Sequence, residues 1–175
     1  AQFSRKHPFF TVALVNPQYP GEAMVQEENR EKIRRWLDIE SVQRSIPNDV
    51  QFVWSAKARA VEDGKKFYTL YPVKRNAELT GGVITNARAT LDPGFNQPVV
   101  TMEMNSEGSR QWGQITGANI GKRIAIVLDD AVFSAPVVRG KITGGHSQIE
   151  GMDNLDEARL LELSLIHISE PTRPS

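Results

Sequence analysis

Apolar positions recur at helical spacing in the first third of the chain. Glu22 to Ile46 is the clearest predicted helical region. Its first apolar stripe consists of Ile33, Trp36 and Leu37, at the i, i+3, i+4 spacing of a helix. A second stripe, out of phase with the first, consists of Ile39, Val42 and Ile46. The phase change predicts two helices that break near Asp38, a candidate N-cap, and Pro47 ends the second helix.

Aromatic and β-branched runs predict strands on both sides of this region. Phe9 to Val15 is predicted to be an extended strand or loop that leads into the turn Tyr19-Pro-Gly. Val50 to Ala58 and Lys66 to Tyr71 are predicted to form an antiparallel pair. Glu62-Asp-Gly-Lys between them favours a hairpin, because Asp-Gly readily adopts positive φ.

The second half of the chain is divided by turn residues. Val83 to Thr90 and Pro98 to Met104 flank Asp92-Pro-Gly-Phe-Asn-Gln, which predicts either a strand pair or a strand that follows a short helix. Asn105 or Ser106 is a candidate cap for a helix that runs to about Ala118 and is ended by Gly121.

The remaining segments predict a hairpin and a final helix. Arg123 to Leu128 is a β-branched run, Asp129-Asp130 a turn, and Ala131 to Phe133 a return strand that is interrupted at Pro136. Leu155 to Leu163 is a predicted amphipathic helix capped by Asp153 or Asn154. Because the order does not repeat as strand, helix, strand, we predict an α+β fold. It has a mixed or antiparallel sheet with packed helices in a single compact domain.

The composition of the chain excludes several classes of function. The 21 basic and 21 acidic residues cancel, so the basic excess typical of nucleic-acid binding is missing and no nucleic acid partner is predicted. The absence of cysteine excludes disulfides and thiolate chemistry. Apolar runs such as Ile124 to Leu128 are far shorter than the roughly 20 residues that span a bilayer.

Patterns that carry catalytic or cofactor chemistry fail on inspection. Gly117-Ala-Asn-Ile-Gly-Lys-Arg is one residue short of a phosphate-binding loop, has Arg123 at the Ser/Thr position, and leaves a helix instead of entering one. His7, His146 and His167 lack the spacing of a zinc site. Asp129 and Asp130 fit a turn better than a carboxylate pair. We therefore predict no catalytic, cofactor or metal residues and no enzymatic activity.

Two sets of side chains are candidates for contact with another polypeptide. Phe67, Tyr68 and Tyr71 alternate with basic residues in a segment of net charge +4, which predicts a basic aromatic face; the alternative is a half-buried antiparallel strand. The second set could form an adaptable apolar groove, with core packing as the alternative. It consists of Phe95, Met102, Met104 and Phe133.

Motifs between Leu79 and Ala158 resemble the SecD family of protein-export membrane proteins, including its SecDF fusion form. They are Leu79-Thr-Gly-Gly-Val-Ile-Thr, Asn119-Ile-Gly-Lys-Arg-Ile-Ala-Ile-Val-Leu-Asp, Ser134-Ala-Pro-Val-Val and Ile142-Thr-Gly-Gly. Family members often carry Gly where this chain has Asp130, and we expect the turn to survive that difference.

The resemblance implies a fragment of the large periplasmic segment between the first two transmembrane helices of SecD. It implies the head region and leaves open whether parts of a ferredoxin-like base are included. We divide residues 1–162 into a variable part, 1–78, and a family-typical part, 79–162. The chain begins at Ala1 without a signal-like segment, so it is interpreted as an excised piece, and residues 163–175 are interpreted as a vector-derived tail.

The resemblance also implies a non-catalytic role in proton-motive-force-driven late translocation. Its implied partners are the translocating preprotein, SecF and the SecYEG channel, and its implied location is the periplasmic side of the bacterial inner membrane. We expect a monomer that contacts or holds the emerging preprotein through an apolar groove or an exposed strand edge. The alternative is a structural spacer that positions the transmembrane parts and has no ligand of its own.

Overall fold

The computed structural model describes residues 8–169, with side chains through Ile166. These residues form two compact units. Unit 1 contains residues 8–76 together with Ile126–Phe133, and unit 2 contains Ala77–Ala125 together with residues 134–169. The chain therefore leaves unit 1 after Asn76 and returns to it for a single hairpin.

Unit 1 is built on an antiparallel sheet. Its strands are β1 (Ala13–Val15), β2 (Ala23–Gln26), β3 (Val50–Trp54), β4 (Ala60–Glu62) and β5 (Lys65–Lys74). Their order is β1-β2-β5-β3, with β4 paired to β5 as well. The helices are α1 (Arg30–Leu37) and α2 (Glu40–Gln43), and 3-10 turns occupy Pro8–Thr11 and Glu27–Asn29.

One face of this sheet carries the core of unit 1. Ala13, Val25, Ala23 and Leu70 are buried in register across three neighbouring strands. Ile33 of α1 is 1% exposed and belongs to the same cluster, and Trp36 and Leu37 pack against it. The helical stripe predicted from the sequence is therefore the surface that covers the sheet.

The prediction for the segment before α1 was wrong. Residues 23–26, predicted to be helical, form β2, with Ala23 and Val25 buried and the alternate residues half-buried. Burial of every second residue is the pattern of a strand. A strand of four residues is hard to recognise in the sequence when the acidic first turn of a helix follows it directly. Asp38 is also not an N-cap: it follows α1, and Ile39 precedes α2 without a side-chain capping bond.

Two hairpins of unit 1 follow the predicted turns, and the predicted antiparallel pairing of Val50–Ala58 with Lys66–Tyr71 is confirmed by β3 and β5. Asp63 (φ 50°) and Gly64 (φ 73°) join β4 to β5, whereas β3 pairs with the other half of β5. Asp129 (φ 48°) and Asp130 (φ 60°) join β8 (Ile126–Leu128) to β9 (Ala131–Ser134). Asp130 therefore adopts the left-handed conformation for which glycine is the commonest choice.

Unit 2 contains a three-stranded antiparallel sheet. Its elements are β6 (Ile84–Leu91), β7 (Pro98–Met104), α3 (Ser106–Ala118), β10 (His146–Ile149) and α4 (Leu155–Ser169), with a 3-10 turn at Gly81–Val83. The strand order is β10-β7-β6, and α4 packs against β6 and β7. The buried residues on these elements include Ala87, Val100, Met102, Met104, Ile149, Ala158, Leu161 and Leu165.

Both helices of unit 2 begin at predicted caps. The Asn105 side chain accepts a hydrogen bond from the N–H of Gly108 at 2.8 Å. The Asn154 side chain accepts one from the N–H of Glu157 at 2.9 Å. Helix α4 continues to Ser169, beyond the predicted end at Leu163, and its Leu165 is buried.

Small residues allow α3 to lie close to the stretch from Lys141 to Gly145. A Cβ atom added to Gly113 would lie 3.3 Å from the carbonyl oxygen of Ile142. The hydroxyl of Thr116, which is fully buried, accepts a hydrogen bond from the N–H of Ile142 at 2.9 Å. The α+β class and the antiparallel sheets are as predicted from the sequence.

Candidate functional site

The most exposed aromatic side chain among the described large hydrophobics is Phe95, in the loop between β6 and β7. Its exposed fraction is 82%. The Asp92 Oδ1 atom accepts hydrogen bonds from the N–H groups of Gly94 and Phe95, both at 2.9 Å. The loop therefore presents an aromatic ring to solvent on a hydrogen-bonded backbone. We call residues 92–97 the Phe95 loop.

Hydrogen bonds across its base also order the Phe95 loop. The N–H of Asp92 donates to the carbonyl of Gln97 and the N–H of Asn96 to the carbonyl of Asp92, both at 2.8 Å. Asn96 has a positive φ of 52°. The N–H of Phe95 and then that of Gly94 lower the pKa of Asp92 below its ordinary value of 3.8, with a smaller lowering from the Gln148 amide. The charged carboxylate is thus the form that this loop stabilises.

The two methionines of the predicted groove lie in the core of unit 2. Met102 is 7% exposed and Met104 is 9% exposed. They pair with Ala87 and Ile84 on β6, toward the end of the hairpin away from the Phe95 loop. The structure therefore gives these two side chains the core-packing role and does not bring them to the surface with Phe95.

Phe133, the fourth member of the predicted groove, belongs to unit 1. It lies on β9 and is half-buried. Its carbonyl oxygen accepts a hydrogen bond from the guanidinium of Arg59. Of the four groove candidates, Phe95 alone is strongly exposed.

The predicted basic aromatic face divides between the two sides of the unit 1 sheet. Side chains alternate between the two faces of a strand, so Phe67 and Tyr71 lie on one face of β5 and Tyr68 lies on the other. Tyr71 is 5% exposed and therefore buried. The alternating strand, which was the alternative interpretation, describes β5 better than a continuous aromatic surface.

Tyr68 participates in a stacked cluster over the core of unit 1. The Arg30 guanidinium lies 4.0 Å from the centroid of the Tyr68 ring and 5.0 Å from that of Trp54. The Tyr68 hydroxyl donates to a carboxylate oxygen of Glu27 at 3.3 Å. Tyr68 is thus engaged within its own unit.

Two basic residues from the same segment bind main-chain carbonyls. Arg59 donates to Phe133, as above, and Arg75 donates to Asn48 at 3.1 Å and to Val50 at 3.2 Å. These guanidinium groups tie loops to β3 and β9. Two of the cationic groups that give this segment its net charge of +4 therefore make hydrogen bonds within unit 1.

A further exposed apolar surface lies at β1, and the sequence analysis did not select it. Leu14 is 67% exposed and Val15 is 42% exposed, on the outermost strand of the unit 1 sheet. The signal in the sequence is the run from Phe9 to Val15, which contains no charged residue. Such a run at a sheet edge is unusual because natural edge strands are commonly protected by charge, proline or a bulge.

Within residues 8–169, no group of three or more His, Cys, Asp or Glu side chains is placed to hold a metal ion. Across the same residues, none of the helices has both the length and the apolar character that a bilayer crossing demands. Gly121 belongs to the segment that was compared with a phosphate-binding loop. It follows the end of α3 and has a positive φ of 79°.

Comparison with known proteins places these features in a family. The sequence model described as SecDF, P1 head subdomain, matches residues 55–167. The protein translocase subunit SecD of Rhodothermus marinus is 44% identical over 129 residues, which cover 73% of this chain and 21% of that protein. SecDF of Thermus thermophilus is 45% identical over 87 residues, or 50% of this chain and 12% of that protein.

A solved structure shows the fold. The crystal structure of SecDF from Thermus thermophilus, described as a translocon-associated membrane protein, matches 98% of this chain and 22% of its own chain. The TM-score is 0.50 at 24% sequence identity. This chain spans about a fifth of the length of the first curated relative. Since the family model matches more than half of it, the chain belongs to the family of SecDF P1 head subdomains.

Proposed function

We propose that this chain is a non-catalytic module that contacts or holds an emerging preprotein during late, proton-motive-force-driven translocation. Its relatives are named protein translocase subunits, a transport role and not a catalytic one. The proposed location is the periplasmic side of a bacterial inner membrane. The proposed partners are the preprotein, SecF and the SecYEG channel, and the chain itself is proposed to be a monomer.

The observation that carries this proposal is the Phe95 loop. An aromatic side chain that is 82% exposed contributes little to folding, yet its backbone is fixed by the Asp92 hydrogen bonds. A fixed backbone lowers the entropy that is lost on binding, and aromatic side chains dominate the energy of many interfaces. The loop is therefore suited to bind apolar side chains of an unfolded polypeptide.

The structural spacer is the second candidate, and a specific observation favours it. Tyr71, Met102 and Met104, three of the seven predicted contact residues, are buried in the cores of their units. A spacer needs stable cores and no exposed aromatic anchor. The two candidates thus differ in what they predict for Phe95.

Backbone NMR of the folded chain, titrated with an unfolded segment of a secretory protein, tests the proposal. We expect chemical-shift changes at Gly94, Phe95 and Asn96, and their loss in Phe95→Ser. Gln97→Ala, in the same loop but without an aromatic ring, is the matched control and should bind like the unchanged chain. No shift at millimolar segment would favour the spacer.

A further inference from the structure

A groove in unit 1 lies where α1 ends beside β3. Its volume is about 260 Å³. The apolar residues that line it come from the end of α1, the stretch after α2, and β3; they are Leu37, Ile46, Val50, Phe52 and Trp54. All five are half-buried. Each therefore keeps apolar surface that the fold does not cover. We call this site the β3 groove.

The β3 groove continues the core of unit 1. Trp54 lies opposite the buried Leu70 in the register of β3 with β5, so the two side chains share one face of the sheet. Leu37, Phe52 and Trp54 pack against the core cluster that contains Leu70 and Ile33. Because α1 ends at Leu37 and α2 has only four residues, the helices leave part of this apolar surface uncovered.

Hydrogen bonds within unit 1 hold both sides of the β3 groove. The Nε2 atom of Gln43 donates to the carbonyl of Leu37, which ties α2 to the end of α1. The Nε atom of Arg75 donates to the carbonyl of Asn48 at 3.1 Å, and its Nη2 atom donates to the carbonyl of Val50 at 3.2 Å. A groove that is held in this way loses less entropy when a partner binds.

The charged residues that line the β3 groove carry a net positive charge. They are two cations, Arg34 and Arg75, and one carboxylate, Asp38. The bonds of Arg75 to Asn48 and Val50 use Nε and Nη2, and its Nη1 atom has no partner within the part of the chain that the structure describes. A guanidinium fixed by such bonds presents its remaining N–H donors in a geometry that matches a carboxylate.

We propose that the β3 groove binds one large apolar side chain of an extended polypeptide that carries an acidic residue next to it. The inference rests on the proposed function and adds a contact surface in unit 1. An apolar surface with a polar rim is typical of interaction sites. A volume of about 260 Å³ is below the roughly 300–1,000 Å³ of pockets for drug-sized ligands, so the groove fits a side chain and not a folded element.

The β3 groove and the Phe95 loop differ in charge, and this difference separates their partners. The Phe95 loop contains the carboxylate of Asp92, whose Oδ1 atom accepts from the N–H of Phe95 at 2.9 Å. The β3 groove instead contains the guanidinium groups of Arg34 and Arg75. A segment with an acidic residue beside its apolar side chain is therefore better suited to the groove than to the loop.

Three short peptides test the β3 groove in the unchanged chain. The first has a central Phe-Glu between Gly, Ser and Thr residues and a fluorophore at one end; the second has Ser for Phe, and the third has Lys for Glu. Fluorescence anisotropy should show at least about tenfold weaker binding for each of the last two. Backbone NMR should show that the Phe-Glu peptide shifts the amides of Leu37, Val50 and Phe52.

Two tryptophan variants provide the matching change in the protein. Ile46→Trp places a larger side chain in the β3 groove and should weaken binding of the Phe-Glu peptide at least about tenfold. Ile39→Trp adds the same side chain at a position that is 46% exposed and does not line the groove, so the affinity should be nearly unchanged. Circular dichroism checks that both variants are folded. If Ile46→Trp does not fold, the NMR shifts in the unchanged chain decide.

The possible outcomes separate the β3 groove from the proposed function. Shifts confined to the Phe95 loop would overturn the groove and leave the proposed function standing. Equal affinities of the Glu and Lys peptides would overturn the choice of an acidic segment. Absence of binding by any peptide would overturn the groove and count against the proposed function as well. A dimer in sedimentation velocity that Ile46→Trp converts to a monomer would assign the groove to a second copy and overturn the proposal.

Discussion

The outermost strands of the two sheets differ in the contacts that they receive from a helix. In unit 2 the N–H of Ala89, on the outermost strand β6, donates to a carboxylate oxygen of Glu162 at 2.9 Å. Helix α4 thus supplies both the apolar cover of the sheet and an acceptor for its edge. In unit 1 the outermost strand β1 has no such contact from a helix among the described residues: Leu14 and Val15 are exposed on it, and Ala13 is buried in the core at 4% exposure.

The contrast suggests that edge protection in this fold depends on which helix is nearby and not on the sheet itself. Both sheets are antiparallel and bury one apolar face. The pairing register of β6 also shifts between Ile84 and Asn86, and such an irregularity is a common device for limiting edge pairing. β1 has neither device, but it has only three residues, and so short an edge strand itself limits pairing.

Removing the cover of unit 2 should have the largest effect. Leu161 is fully buried on α4, and Leu161→Ala should lower the free energy of unfolding by about 2–5 kcal/mol because of the cavity it leaves. Leu160, 63% exposed on the same helix, provides the control, and Leu160→Ala should change it by less than about 0.5 kcal/mol. Urea unfolding followed by circular dichroism measures both; equal effects would mean that α4 does not cover the sheet.

Removing only the edge acceptor should have a smaller effect. Glu162→Ala leaves the Ala89 N–H without its partner and should cost about 1 kcal/mol. Glu162→Gln retains an acceptor oxygen and should cost less. Hydrogen exchange of the Ala89 amide should accelerate in the first variant and change little in the second. Unchanged exchange in both would show that Glu162 does not protect this edge.

Acid should loosen the Phe95 loop through Asp92. Because hydrogen bonds lower the folded-state pKa of Asp92 below 3.8, its carboxylate stabilises the folded loop above the unfolded-state pKa. That stabilisation is lost as the pH falls through the folded-state pKa. Amide exchange at Phe95, corrected for intrinsic rates, should therefore lose protection below about pH 3.8 in the unchanged chain.

Asp92→Asn is the control for this pH effect. Its amide oxygen still accepts from the loop N–H groups but does not titrate, so protection at Phe95 should be weaker at neutral pH and nearly constant on acidification. A parallel pH dependence in the variant and the unchanged chain would mean that another group governs the loop.

A charge on the outermost strand β1 should change stability least. Leu14→Lys places a charge at a 67% exposed position and should alter the free energy of unfolding by less than about 0.5 kcal/mol. Light scattering at high concentration should nevertheless show less self-association, because lysine blocks edge pairing. Leu160→Lys adds the same charge away from a strand edge. If both variants reduce scattering equally, net charge and not the edge is responsible.

Local signals in the sequence predicted several elements of the fold. Asn105 caps α3 and Asp63-Gly64 closes a hairpin because each signal acts over three or four residues. Strand β2 was missed because its pairing with β1 and β5 involves residues distant in sequence. Strand identity in so short a segment is set by its neighbours.

The candidate site was less predictable from sequence than the fold. Phe95 and Met102 are both apolar residues of the β6–β7 hairpin, yet one is 82% and the other 7% exposed. Phe95 lies in the connecting loop and Met102 on β7, and which strand positions are buried depends on packing between distant segments. The exposure of Leu14 and Val15 on β1 was not predicted for the same reason, since a run of apolar residues does not indicate whether a strand has one neighbour or two.

The return of the β8–β9 hairpin to unit 1 has a consequence for biosynthesis. Val132 is fully buried, and its carbonyl accepts a hydrogen bond from the N–H of Ala56 at 2.9 Å. Unit 1 therefore lacks its β8–β9 hairpin until residue 133 has emerged from the ribosome. At the usual elongation rate of about 5–20 residues per second, its first 76 residues wait several seconds for their last contacts.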